Sequence, residues 1–116
     1  MKIAVPIFDV TVFVYSCSSV HQFMRRRGYE VGSERRTAKA CTFYERGASG
    51  AMHLCSVFGG GAGLSAGTVV HEAVHIVSMI FQMKGVAPDL DNDEVQAYLT
   101  AFVFNEVSKL LWKQIR

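Results

Sequence analysis

Only 19% of the 116 residues are charged, and the net charge at neutral pH is no more than +2. A committed nucleic-acid binder carries a stronger basic excess, so that class is disfavoured. Cys-x-x-Cys spacing is absent. The three cysteines, Cys17, Cys41 and Cys55, are odd in number and irregularly spaced, which argues against a disulfide framework and for reduced thiols in a cytoplasmic protein. No apolar run is both long and clean enough to span a membrane: the longest, residues 68–83, contains His71, Glu72 and His75. Internal repeats are missing too. What remains is 50% hydrophobic and 11% aromatic, which excludes a disordered tail and fits one compact domain over residues 1–116.

Charge is unevenly spread. Residues 1–46 carry eight Lys and Arg against four acids, and residues 47–116 carry four against six. The basic half centres on Arg25, Arg26, Arg27, Arg35, Arg36 and Lys39. Such a cluster is most simply a solvated helix end and loop, although it could touch an anionic partner.

Residues 3–15 are rich in Val, Ile and Phe and predict a buried strand, or two broken near Asp9, rather than an export signal. Ser18 or Ser19 can cap a short helix over residues 20–27, stopped by Gly28. Residues 40–44 and 51–58 read as a hairpin. Ser65 and Gly85 bracket a long apolar helix as N-cap and stop, and residues 92–114 read as a second long helix. The class is therefore α+β, with a small, mostly antiparallel sheet, one short helix and two long ones.

His71-Glu72-Ala73-Val74-His75 is an H-E-x-x-H sequence. Residues four apart on a helix lie about 40° apart and about 6 Å along the axis, so both imidazoles can bind one metal ion. Glu72 flanks them, placed to take a proton from water held by the metal. His71, Glu72, His75, Ser78 and Gln82 form one polar stripe on a helix otherwise expected to be buried on nearly all sides. Glu94 can return to the same site at the start of the second helix. Two His and one Glu would leave a fourth position open, as in catalytic zinc sites. Glu94 has a second reading, as the N3 residue of a capping box whose N-cap is Asp91.

This pattern resembles the gluzincin metallopeptidases, in which H-E-x-x-H is followed by a glutamate opening a second helix. Residues 70–103, with Glu94-Val95-Gln96-Ala97-Tyr98-Leu99 after the motif, are similar to the minimal gluzincins, small zinc peptidases mostly of phages and prokaryotes. The resemblance implies a zincin-like minimal domain with a short sheet ahead of the active-site helix. It further implies zinc on His71, His75 and Glu94, Glu72 as general base, and a peptide or protein substrate. Tyr98 stands where larger gluzincins place an Asp that orients a zinc-binding His. Tyr98 and His53 are the candidates for a supporting or oxyanion-stabilising role. A substrate strand could add to a sheet edge, for which residues 51–58 are the candidate.

Two other classes compete. One is a zinc-stabilised interaction protein without catalysis. The other is a nucleic-acid-binding accessory protein using the Arg25–Arg36 cluster. Gly61-Ala62-Gly63-Leu64-Ser65-Ala66 matches a relaxed dinucleotide-binding loop, but no second parallel strand is expected after the helix, so that reading is set aside. Cys17, Cys41 and Cys55 could join His21 or His53 in another metal site, or be core thiols.

Overall fold

The computed structural model describes residues 1–32, 39–60 and 64–115. Two elements of the sequence reading, Arg35–Arg36 and Gly61–Gly63, lie outside them. The order is β1 (Lys2–Val5), β2 (Val10–Cys17), α1 (Val20–Arg26), β3 (Ala40–Arg46), β4 (Met52–Gly59), α2 (Ala66–Lys84) and α3 (Glu94–Ile115).

The expected break near Asp9 separates β1 from β2. Phe8 N–H donates to Pro6 O at 2.8 Å, and Ile7 has φ 71° and Asp9 φ 52°. This is a tight γ-turn whose central residue pays a steric cost that glycine would avoid. Helix α1 starts at Ser19, whose Oγ accepts from Gln22 N–H. Helix α2 starts at Ser65, whose Oγ accepts from Thr68 N–H, and stops at Gly85, which is left-handed at φ 68°. Both caps fall where the sequence placed them.

The four strands form one mixed sheet in the order β1-β2-β4-β3. β1 with β2 and β3 with β4 are antiparallel, and β2 with β4 is parallel. β4 is therefore paired on both sides, and β3 and β1 are the two outer strands. This corrects the expectation that residues 51–58 offer a free edge. A hairpin alone does not reveal which of its strands slots into the sheet interior.

Because side chains alternate along a strand, the sheet has two distinct faces. Val12, Val14, Leu54 and Phe58 face α2 and α3, meeting Val69, Ala73, Ile76, Val77, Ile80 and Phe81 of α2 and Leu99, Val103, Val107 and Leu111 of α3. Each fully buried Val, Leu, Ile or Phe side chain among them contributes about 1.5–3 kcal/mol of burial free energy. The opposite face carries a smaller cluster in which Val57 packs on Val20 and Met24 of α1. A Cβ at Gly59 would stand 3.1 Å from Val20 Cγ2, so glycine there lets α1 close onto the end of β4. Among the described residues, no helix is long and apolar enough to cross a membrane.

Candidate metal centre

Helix α2 is amphipathic rather than buried all round. Its buried face is Val69, Glu72, Ala73, Ile76, Val77, Ile80 and Phe81. His71 and His75 lie on the exposed side, next to Val70 and Val74, which are 44% and 46% exposed. Polarity alone misjudged the helix: two valines face water, and one carboxylate faces the interior.

The two imidazoles meet. His71 Nε2 and His75 Nε2 are 3.1 Å apart, one ring donating its N–H to the other, and the ring planes are inclined at 70°. Bonds of 2.0–2.1 Å to a tetrahedral zinc would separate two nitrogens by about 3.3–3.4 Å. The pair therefore fits a shared ion with little adjustment.

Glu72 is 4% exposed. Its Oε1 accepts from Thr42 Oγ1 at 2.9 Å, and its Oε2 lies 3.9 Å from His71 Nε2. Thr42 Oγ1 is also 2.8 Å from Ser56 Oγ. With the only Thr42 hydroxyl proton directed at Glu72, Ser56 must donate to Thr42. A relay from the middle of the sheet thus holds one oxygen of Glu72 and leaves the other towards His71. The sequence reading missed Thr42 and Ser56. Their inward register on paired positions, Thr42 opposite Ser56, becomes visible only once β3 and β4 are aligned. His71 and Glu72 also line a cavity of about 420 Å³ with Lys39, Ala40, Ser65, Gly67 and Thr68. Further along α2, Tyr44 OH donates to Gln82 Oε1 at 2.9 Å, tying β3 to the helix.

Glu94 is the first residue of α3 and is exposed. Ala97 N–H donates to Asp93 O, so the helix begins at Asp93 and Glu94 occupies N1, not the N3 position of a capping box. Asp91 N–H instead bonds Asp89 Oδ1 in a local turn. Among the described residues, Glu94 does not form a three-donor group with the imidazoles: the set of His, Cys, Asp and Glu whose ligating atoms lie within 4.8 Å of one another is Glu45, His53 and Cys55. Tyr98, one turn beyond Glu94, is 74% exposed, and Asn105 is exposed as well.

His53 is a correction. It projects from the α1 face of the sheet, where its Nε2 is 3.3 Å from Glu45 Oε1 and Phe13 meets its ring edge-on. The α2 face, carrying His71 and Glu72, is on the other side, so His53 has no part in that site. Glu45 is the hub of this second cluster. Arg27 grips both its oxygens, Tyr29 OH donates to Oε2 at 2.8 Å, and Cys55 Sγ donates to Oε1 at 3.4 Å. The Arg27 guanidinium above all holds the Glu45 carboxyl down at about 2. Burial, reinforced by the Glu45 charge, pushes the Cys55 thiol up to about 12. Arg27 is thus withdrawn from the basic cluster, leaving Arg25 and Arg26 exposed on the last turn of α1. None of Cys17, Cys41 and Cys55 is joined in a disulfide.

Set against protein-family models, curated proteins and solved structures, the chain matches none.

Proposed function

We propose that this protein is a zinc-dependent hydrolase, most simply a metallopeptidase of the minimal gluzincin type with a zincin-like domain. The observation that carries the reading is the His71–His75 pair, with Nε2 atoms 3.1 Å apart on a solvent-facing helix stripe, beside the anchored carboxylate of Glu72. His71 and His75 would hold the zinc, with Glu94 in the first turn of α3 as the third ligand. Zinc there would supply a Lewis acid and acidify water to near neutrality.

Glu72 then does the proton work. Its Oε2 takes the proton from the attacking water and later returns it to the leaving amine, while Thr42 keeps Oε1 fixed. An extended peptide would pair with the outer edge of β3, the strand that flanks α2 and shares the cavity with it at Ala40. Lys39 at the same cavity offers a cation to a substrate carbonyl or carboxylate.

Replacing Glu72 by Gln tests the assignment. The variant should retain zinc and lose hydrolysis of an unfolded protein substrate. Full activity in folded, zinc-loaded Glu72→Gln protein would refute the role given to Glu72.

A further inference from the structure

We propose that Glu45, His53 and Cys55 form a second metal site, selective for a soft divalent cation such as zinc, on the sheet face opposite His71. Strand periodicity brings the three together. His53 and Cys55 are two apart on β4 and point the same way, and Glu45 is the cross-strand partner of His53 on β3. Their ligating atoms all lie within 4.8 Å of one another. Two of the three separations, 3.3 Å from His53 Nε2 to Glu45 Oε1 and 3.4 Å from Cys55 Sγ to Glu45 Oε1, match the edges of about 3.3–3.7 Å expected around tetrahedral zinc. One sulfur, one imidazole nitrogen and one carboxylate oxygen form a donor set that suits zinc and disfavours magnesium or calcium.

The surroundings are organised for a cation. Three donors converge on Oε1 of Glu45: Arg27 Nη2, His53 Nε2 and the Cys55 thiol. In the metal-free protein, Arg27 supplies the positive charge. Metal entry puts the ion in place of the Arg27 Nη2 contact to Oε1. Cys55 gives its thiol proton to solvent and binds as thiolate. The His53 proton shifts from Nε2 to Nδ1, and the ring binds through Nε2. Arg27 Nη2 leaves Oε1, while Arg27 Nε and Tyr29 keep their bonds to Oε2. The charges of Glu45 and the thiolate then balance the divalent ion. Released from Oε1, the guanidinium still has the Tyr15 and Phe23 rings to rest on, about 5 Å away. Phe13 fixes the His53 ring edge-on, with centroids 4.7 Å apart. Cys55 is buried and the other two side chains are 16% and 17% exposed, so the three donors are largely shielded from solvent.

The test is a cobalt(II) titration of the reduced, metal-stripped full chain, read by the thiolate-to-cobalt charge-transfer band in the near ultraviolet. The band should appear in the wild type and persist at full intensity in His71→Ala/His75→Ala, which separates this site from the proposed catalytic one. It should also persist in Cys17→Ser/Cys41→Ser, which leaves Cys55 as the one thiol, and it should vanish in Cys55→Ser. Arg27→Gln should bind cobalt several-fold more tightly, because the competing cation is gone. Absence of the band in the wild type or in Cys17→Ser/Cys41→Ser would overturn the site. So would its loss with the two helix histidines, or its survival in Cys55→Ser. Unchanged or weaker binding by Arg27→Gln would overturn the exchange of Arg27 for metal.

Discussion

Thr42 on the outer strand donates a 2.9 Å hydrogen bond to Glu72 on the long helix, thirty positions away in sequence. This bond joins the sheet to the proposed catalytic residue and gives the first prediction. Thr42→Val keeps the shape but removes the donor. Zinc content should be unchanged, hydrolysis should fall by about 10–100-fold, and stability should drop by about 1–3 kcal/mol because a buried carboxylate loses its partner. Thr42→Ser should restore most of both. Turnover, bound zinc and a denaturant melt on the three proteins check this together.

The second prediction concerns acid. Glu45 titrates at about 2 in the folded protein against 4.5 for an ordinary glutamate, mainly because Arg27 stabilises its charge. A carboxylate with a depressed folded-state pKa stabilises the protein fully above its unfolded value, and that contribution is lost as pH falls through the folded one. Stability should therefore decline as pH falls from about 4.5 to about 2. Glu45→Gln should start less stable at neutral pH and decline less over that window. Urea midpoints at a series of pH values measure the difference.

Helix orientation supplies the third. Ile76 is fully buried and Val74 is 46% exposed, two residues away on the other side. Ile76→Ala should cost about 2–5 kcal/mol. Val74→Thr should change stability by no more than about 0.5 kcal/mol. Comparable losses for both would mean that the exposed stripe bearing His71 and His75 has been misplaced.

The turn between β1 and β2 supplies the fourth. Ile7 is 97% exposed and has φ 71°, so its side chain gains little by burial and suffers backbone strain. Ile7→Gly removes a penalty of about 1–2 kcal/mol and adds about 0.5–1 kcal/mol of unfolded-chain entropy. The thermal midpoint should stay level or rise slightly. A marked fall would mean the isoleucine makes a contact that its exposure denies.

Local signals were legible in the sequence. Ser19, Ser65 and Gly85 mark helix ends by their own hydrogen bonds or backbone preference, and the β3–β4 hairpin follows from its turn. Facing was less legible. Val70 and Val74 are apolar yet exposed, and Glu72 is charged yet buried, so a helix judged by polarity appears wrapped on all sides. What reverses this is Thr42, whose position opposite Ser56 depends on strand register. The Glu45 cluster was hidden for the same reason. The 53/55 alternation is visible, but its partners Glu45 and Arg27 arrive through strand pairing and the closing of α1. Glu94 was placed at the start of the second helix, and it stands there, but the path of residues 86–93 decides how far its carboxylate can reach.

Zinc bound per chain, measured on the wild type and on His71→Ala/His75→Ala under identical loading, bears most directly on the hydrolase reading. The double variant should stay folded and bind one zinc fewer per chain than the wild type. Equal zinc in the two proteins would contradict that reading.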